Sequence, residues 1–175
     1  MSDTTYNGWS NYETWLVNLW LDNDGYDFDE TARDATQQAI DNDQDKADAE
    51  RALADTIEEM VEEMRPEVSG LFAELLNASL SNVAWREIAA NHLSDVTVYS
   101  AGWNMPGYMP DNAPTLFLDA DDALEYVKDS AAQWLENQDC TNHEWLENEL
   151  TEWKADNNGE FGQTFGQYHY FVTIV

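Results

Sequence analysis

Residues 43–65 read DQDKADAERALADTIEEMVEEMR, a stretch typical of an amphipathic helix. Acidic residues fill most positions between the apolar ones, so a helix would place carboxylates on one side and a core-facing stripe on the other. The stretch therefore predicts a helix over 43–65 that ends before Pro66. The predicted stripe consists of Ala47, Ala54, Ile57, Met60, Val61 and Met64.

The sequence before this stretch predicts two further helices. Ser10 and Glu13 have the spacing of a capping box, which begins a helix that ends near Asp22. Residues 29–41 predict a second, acidic helix. In the first helix Trp15, Leu16 and Leu19 are expected to face the core. Three aromatic residues lie partly outside that stripe and mark a candidate interface: Tyr6, Trp9 and Tyr12.

Two more helices are predicted after residue 65, over 67–80 and 82–93. The first of them is apolar, and we expect it to be the more buried one. Ser81 is the predicted N-cap of the second. In the helix over 67–80, the side chains expected to be buried are Leu71, Phe72, Leu75 and Leu76.

The pattern then changes to β-branched and aromatic runs. Strands are predicted over 96–103, 115–118 and 167–175, and helices over 119–137, with Asp119 as its N-cap, and 142–156. The glycine-containing stretch 159–166 is expected to be a loop.

These elements predict an α+β fold. The N-terminal half is helix-rich, and in the C-terminal half helices pack on a small three-stranded antiparallel sheet. The expected regions are an acidic helical one over 1–94 and an α+β one over 95–175, although one fused domain fits nearly as well.

The charge is the most unusual feature of the composition. Thirty-six acidic residues stand against seven Lys and Arg, which gives a net charge of −29. Two blocks, 22–63 and 119–160, hold 29 of the 36 acids. A charge this large repels nucleic acid phosphates and anionic membranes. The expected partner is therefore a basic, nucleic-acid-binding protein or complex, with no direct binding to nucleic acid or membrane.

Twelve carboxylates on the outer faces of the predicted helices are the candidate partner-binding surface. Duplex DNA carries one charge per roughly 1.7 Å of axis, so 29 charges match about 50 Å of duplex. A monomer or a homodimer could present that length. The alternative is that the charge serves solubility or salt adaptation, although scarce Arg and eight Trp argue against salt adaptation. The candidates are Asp43, Asp45, Asp48, Glu58, Glu59, Glu62, Glu63, Glu136, Glu144, Glu147, Glu149 and Glu152.

A second candidate surface is the aromatic segment 99–114, YSAGWNMPGYMPDNAP. It predicts either a rigid loop with packed aromatic rings or an exposed recognition loop, and the sequence leaves both open. The side chains that would contact a partner are Trp103, Met105, Tyr108 and Met109.

Catalytic and metal-binding motifs do not account for the acidity. The Asp-rich stretches lack the Gly and Glu positions of an EF-hand loop. HEWLE at 143–147 has Glu147 where a zincin has its second His. We therefore expect no enzyme activity, metal or cofactor. A lone Cys140, no signal peptide and no apolar run of about 18–20 residues indicate the cytoplasm.

Two segments carry a resemblance, NGWSNYETWLVNLWLDND at 7–24 and GWNMPGYMPD at 102–111. They resemble a family of small acidic proteins of phages, plasmids and other mobile elements with an NGWxNYETW signature. In size and charge the chain is similar to antirestriction proteins of the ArdA and Ocr kind, which imitate duplex DNA. No ArdA or Ocr motif is present, so no residue role is carried over.

The resemblance implies a counter-defence protein that acts in the host cytoplasm. It would block a restriction–modification or CRISPR complex by occupying the groove that holds nucleic acid. The alternative is an adaptor whose aromatic segments bind a partner while the charge keeps the protein soluble.

Overall fold

The computed structural model describes residues 5–23, 28–108, 112–137 and 143–175, the last with backbone alone over 143–147. Met109 and the side chains of Glu144 and Glu147, three predicted site residues, lie outside this description. The chain forms two compact units, Met1–Val96 and Thr97–Val175.

The first unit contains five helices within the described residues. They are α1 (Tyr12–Asn23), α2 (Phe28–Asp41), α3 (Lys46–Glu63), α4 (Leu71–Leu80) and α5 (Trp85–Leu93). The core lies where α3 packs against α2 and α5. Its most completely buried side chains include Ala32, Leu53, Ile57, Ile88 and Ala89.

The predicted stripe of α3 is correct in period but partly wrong in membership. Ala54 and Ile57 are buried, and Met60 and Val61 are half-buried. Ala47 lies exposed in the first turn, and Met64 follows the last turn with 45% of its surface exposed. Their places in the core are taken by Ala49 and Leu53, which belong to the buried cluster that α3 forms with its neighbours.

Helix α1 buries a different face from the one its aromatic residues predict. Its buried residues are Thr14, Asn18 and Leu21. Trp15 and Leu16 are half-buried, whereas Leu19 and Trp20 are exposed. Hydrophobicity alone could not indicate this orientation, because polar contacts to a distant segment determine it.

Those polar contacts join the start of α1 to the start of α5. The Thr14 hydroxyl accepts a hydrogen bond from the Ala84 N–H at 2.9 Å, and the Asn11 amide donates to the Asn82 carbonyl at 2.8 Å. Asn11 also accepts from the Thr14 N–H and thereby caps α1. The N-cap is therefore Asn11 and not the predicted Ser10, because α1 begins at Tyr12; the Ser10 N–H donates to the Glu87 carboxylate.

The candidate interface at Tyr6, Trp9 and Tyr12 is a self-packed aromatic cluster. The rings of Tyr6 and Tyr12 lie 5.0 Å apart, and both contact Trp15. Backbone hydrogen bonds join Tyr6 to Trp9, which is half-buried. Tyr6 and Tyr12 keep 39% and 47% of their surface exposed.

The helix predicted over 67–80 exists as α4, but the prediction that it is buried is wrong. None of its ten residues is buried. The core closes between α2, α3 and α5, and α4 lies outside it, so that among the described residues only Ala73, Leu76 and Leu80 of α4 are even half-buried. Ser81 is the C-cap of α4 and not the N-cap of α5, which begins at Trp85 after Ala84.

The second unit is an antiparallel sheet with two described helices. Its elements are β1 (Tyr99–Asn104), β2 (Thr115–Phe117), α6 (Ala120–Glu136), α7 (His143–Glu152), β3 (Phe161–Phe165) and β4 (Tyr168–Ile174). The strand order is β2-β1-β4-β3, with Ala101 opposite Thr115 and Val172. The α+β class is confirmed.

The sheet has four strands over the described residues, so the prediction of three is wrong. The fourth is β3, which lies in the stretch expected to be a loop. It pairs with β4 through a tight hairpin at Gly166, whose φ is 61°. A side chain at Gly166 would collide with the Trp134 ring, so both the backbone angle and the space require glycine there.

Helix α6 packs on one face of the sheet, as its apolar spacing predicts. Asp119 caps it by accepting from the Asp121 and Asp122 N–H groups. Its inner face meets Ala101, Tyr170 and Val172. Burial and the neighbouring Tyr168 raise the pKa of Tyr170 to about 12, so this phenol stays protonated near neutral pH. The inner face of α6 consists of Ala123, Leu124, Val127, Ala131 and Leu135.

Candidate acidic interaction surface

The C-terminal half of α3 carries a continuous stripe of carboxylates. Successive residues turn by about 100° in an α-helix, so positions three and four apart share a face. All five residues of the stripe are exposed. We call them the α3 ridge: Asp55, Glu58, Glu59, Glu62 and Glu63.

The ridge stands on a fixed support. Opposite it, α3 buries Leu53, Ala54 and Ile57, each no more than 3% exposed. At the start of the helix, Asp45 accepts from the Asp48 N–H at 3.0 Å, and the Asp48 carboxylate accepts from the Asp45 N–H at 3.4 Å. This capping box and the buried face hold the helix, and with it the spacing of the carboxylates, in place.

The charge density of the ridge is close to that of nucleic acid. Asp55 to Glu63 spans eight helical rises, about 12 Å, so its five carboxylates give one charge per about 2–3 Å of axis. Duplex DNA has one charge per roughly 1.7 Å, and a single strand has one per roughly 3.4 Å. The ridge lies between the two.

Basic residues neutralise little of the ridge. Glu62 pairs with Arg65 at 3.1 Å, and among the described residues no ion pair involves the other four carboxylates. Two other Arg pairs lie elsewhere on the unit, between Asp48 and Arg51 and between Glu50 and Arg86. The negative field of the ridge therefore faces solvent.

The ridge also opposes the helix dipole. The C-terminal end of a helix carries partial negative charge, and nearby carboxylates destabilise it by about 0.3–1 kcal/mol each. The last turn of α3 contains Glu62 and Glu63 and no base. Like charges four residues apart, such as Asp55 and Glu59, add about 0.2–0.5 kcal/mol per pair.

A cavity of about 360 Å³ opens beside the ridge. Glu58 and Glu62 of α3 form one wall, and Asn77 and Leu80 of α4 form part of another. Its depth is lined by Val83 and the half-buried Trp85. A mostly polar space with two carboxylates on its wall and Val83 and Trp85 beside them has the chemistry to receive a Lys or Arg side chain, whose alkyl stem is apolar.

The other predicted acidic residues do not join the ridge. Asp43 and Asp45 are exposed at the opposite end of α3, where Asp43 adopts a φ of 55° in the preceding turn. Asp48 is half-buried and serves the capping box. Asp55 belongs to the ridge although the initial candidates omit it, and its spacing from Glu58 and Glu59 would have indicated it.

Three predicted carboxylates with described side chains lie in the second unit. Glu136 and Glu152 are exposed at the last residues of α6 and α7. Glu149 is half-buried, and its Oε2 is enclosed with no hydrogen-bond partner among the described residues. It is therefore poorly placed to contact a partner.

The aromatic segment divides between packing and exposure. Trp103 is half-buried, with its ring 6.0 Å from Tyr126 and 6.2 Å from Tyr170. Tyr108 is 72% exposed and Met105 38% exposed. They border a second cavity of about 360 Å³ that also includes Trp103. Trp103 thus serves the core of the second unit, whereas Tyr108 is open to a partner.

The described residues offer no metal site. Among them, no three His, Cys, Asp or Glu side chains converge as metal ligands would. His92 lies 3.8 Å from Asp22 through Nε2 and packs against Phe28, as a core histidine does. Also within the described residues, no helix has both the length and the apolar character needed to cross a bilayer.

Comparison with known proteins identifies one family. No curated protein and no solved structure matches the chain. The model of a family of unknown function, DUF7249, matches residues 2–101, which is more than half of the chain and includes nearly all of the first unit. The chain therefore belongs to the DUF7249 family.

Proposed function

We propose that this protein is an acidic decoy, which occupies the nucleic-acid groove of a basic defence complex in the host cytoplasm. The target class is a restriction–modification or CRISPR complex, and the source is a mobile element that benefits from blocking it. The single observation that carries the proposal is the α3 ridge, with one carboxylate per about 2–3 Å on a rigid helix.

The arrangement supports binding over solubility. Charges that only keep a protein soluble can lie anywhere on its surface. The ridge concentrates them at the C-terminal end of a helix, where the dipole and like-charged neighbours make them destabilising. Selection for a binding function would maintain such a surface even though it lowers the stability of its own helix.

Partner binding would combine charge and shape. The ridge would meet the Lys and Arg side chains that contact phosphates in the target, and one of them would enter the cavity beside Glu58 and Glu62. Association would be fast at low salt because opposite fields steer the two proteins together. Bound decoy and DNA would exclude each other.

The test is displacement of DNA from purified targets. A fluorescent duplex of about 30 base pairs is bound to a type I restriction enzyme or to a CRISPR effector complex, and the protein is titrated in at 50 and 200 mM NaCl. We expect it to release the DNA and to lose about tenfold or more in apparent affinity at the higher salt. Binding that ignores salt, or that coexists with DNA, contradicts the proposal.

Matched variants separate the ridge from total charge. The ridge variant D55N/E59Q/E63Q and the control D34N/E67Q/D95N each remove three exposed carboxylates, so both change the net charge from −29 to −26. We expect the ridge variant to lose at least tenfold in affinity and the control less than threefold. Equal losses would assign the effect to total charge.

A second candidate function is that of an adaptor that binds through the aromatic segment. The observation that favours it is the 72% exposure of Tyr108 beside the cavity of the second unit. In the same assay, Tyr108→Ala would abolish binding while the ridge variant would leave it intact. Trp103→Ala is unsuitable as a probe, because removing its packing against Tyr126 and Tyr170 would weaken the core.

A further inference from the structure

Helix α4 exposes apolar side chains where α2, α3 and α5 bury most of theirs. Leu71, Phe72 and Leu75 are 66%, 71% and 55% exposed. The residues that precede the helix, Met64 and Val68, are 45% and 40% exposed. Exposed apolar residues clustered on one element mark an interaction surface more often than scattered ones do.

The large exposed apolar residues of α4 lie on one side of the helix, within a wider exposed surface that also includes Glu74 and Asn77. We define the α4 face as Leu71, Phe72, Leu75 and Ser79, which repeat at helical spacing and are all exposed. The half-buried side of α4 consists of Ala73, Leu76 and Leu80, and it adjoins the face next to Phe72. Arg65 holds the helix to the unit, since its guanidinium donates to both Glu62 and Asn77. The α4 face therefore belongs to a helix that is attached to the rest of the unit.

The charge around α4 indicates which partner fits the face. Residues 66–84 contain two acids, Glu67 and Glu74, and no base, in a chain of net charge −29. A surface for a basic partner gains from carboxylates, as the ridge on α3 does. A surface for a second, equally acidic copy must lack them, because like charges across an interface disfavour association. Charge depletion therefore points to self-association.

We propose that the α4 face pairs with the same face of a second copy. In a two-fold dimer the same patch meets itself. With the axis perpendicular to the helices, the two α4 helices run antiparallel, with Leu75 near the axis and each Leu71 opposite Ser79. A ten-residue helix is about 15 Å long, and the pair covers less than the roughly 800 Å² per partner of a standard interface. We expect a dimer with a Kd in the micromolar range.

Salt distinguishes this dimer from decoy binding. Screening weakens the repulsion between two acidic copies, so dimerisation strengthens as salt rises. Binding to a basic target weakens over the same range. The dimer does not depend on the decoy function, and either can fail while the other holds.

The test is sedimentation velocity of the full chain between about 1 and 500 µM, at 50 and 500 mM NaCl. We expect monomer and dimer in exchange, with the dimer Kd at least tenfold lower at 500 mM. The variant L71S/F72S should weaken the dimer at least tenfold. Trp20→Ser, which removes a 62% exposed ring from α1, is the matched control and should leave it unchanged.

A charge-adding variant guards against misfolding as the explanation. Ser79→Glu removes no apolar group, yet it places a carboxylate in the contact of each copy and should also weaken the dimer at least tenfold. Circular dichroism and the thermal midpoint of the monomer should match the wild type. A wild type that stays monomeric throughout, an assembly that grows beyond two copies, or a dimer lost in Trp20→Ser and kept in L71S/F72S would overturn the proposal.

Discussion

Helices α3 and α4 are consecutive in the chain and lie in one unit, yet the side chains that they expose to solvent differ: α3 exposes carboxylates and α4 exposes apolar groups. Helix α3 turns Leu53 and Ile57 into the core and leaves its ridge outside. Helix α4 has one acid, Glu74, and leaves Leu71 and Phe72 outside. Both sequences are amphipathic enough to predict a helix, so helicity alone does not indicate which side meets water.

The difference teaches that the surface of the first unit is divided by charge. The ridge repels every acidic molecule, including another copy, and attracts basic ones. The α4 face is nearly neutral and apolar, so it can contact a surface of the same sign. If both proposals hold, one unit has two surfaces whose binding we expect to respond to salt in opposite directions.

The largest expected effect comes from equivalent leucines on the two helices. Leu53→Ala should lower the free energy of unfolding by about 2–5 kcal/mol, because Leu53 is 0% exposed and the change leaves a cavity. Leu75→Ala on α4 should change it by less than about 0.5 kcal/mol. Urea denaturation of dilute protein measures both. Similar losses would mean that Leu75 is covered in the monomer, and the contrast between the helices would fail.

A smaller effect is expected at the helix starts. Asp45→Ala removes the capping box of α3 and should lower the free energy of unfolding by about 1 kcal/mol. Helix α4 begins after Gly70, whose residue type supplies no capping side chain. Ser69→Ala, next to it, is the control and should have almost no effect. Thermal and urea unfolding at 50 mM NaCl compare the two, and an unchanged Asp45→Ala protein would show that the cap does not support the ridge.

The smallest expected effect has the opposite sign. The ridge variant D55N/E59Q/E63Q should be more stable than the wild type by about 0.5–1 kcal/mol at low salt, since two repulsive pairs four residues apart and one unfavourable dipole contact disappear. The gain should shrink at 500 mM NaCl. If the ridge variant were less stable than the control D34N/E67Q/D95N, the ridge carboxylates would not destabilise α3, and the argument for their retention by function would fail.

Local patterns predicted α3 and much of its ridge. Helical spacing predicts that Ala54 and Ile57 lie on the core side of α3. It also predicts that the four glutamates from Glu58 to Glu63 lie on the solvent side. Asp119 at the start of α6 was likewise readable as a cap. These features depend on residues within one or two turns, which is why the sequence contains them.

Features set by distant partners were not predictable in this way. The burial of α4 depends on whether another helix faces Leu71 and Phe72. The apolar character of these residues does not indicate whether such a helix is present. Strand β3 contains Gly162 and lies between Gly159 and Gly166, and these glycines weaken the strand signal of its Phe and Thr residues, so the pairing with β4 decides that it forms. The orientation of α1 depends on hydrogen bonds to residues 82–84.

The bond between the Thr14 hydroxyl and the Ala84 N–H has a consequence during synthesis. The two residues are 70 positions apart, so α1 leaves the ribosome long before its polar side has a partner. At about 5–20 residues per second, that interval is about 4–14 s. Asn11 and Asp22 are local partners of Thr14 and Asn18, so over this time only the bond that the Thr14 hydroxyl accepts from Ala84 is replaced by water. Trp15, Leu16 and Trp20 are the parts of the nascent helix that a chaperone would hold.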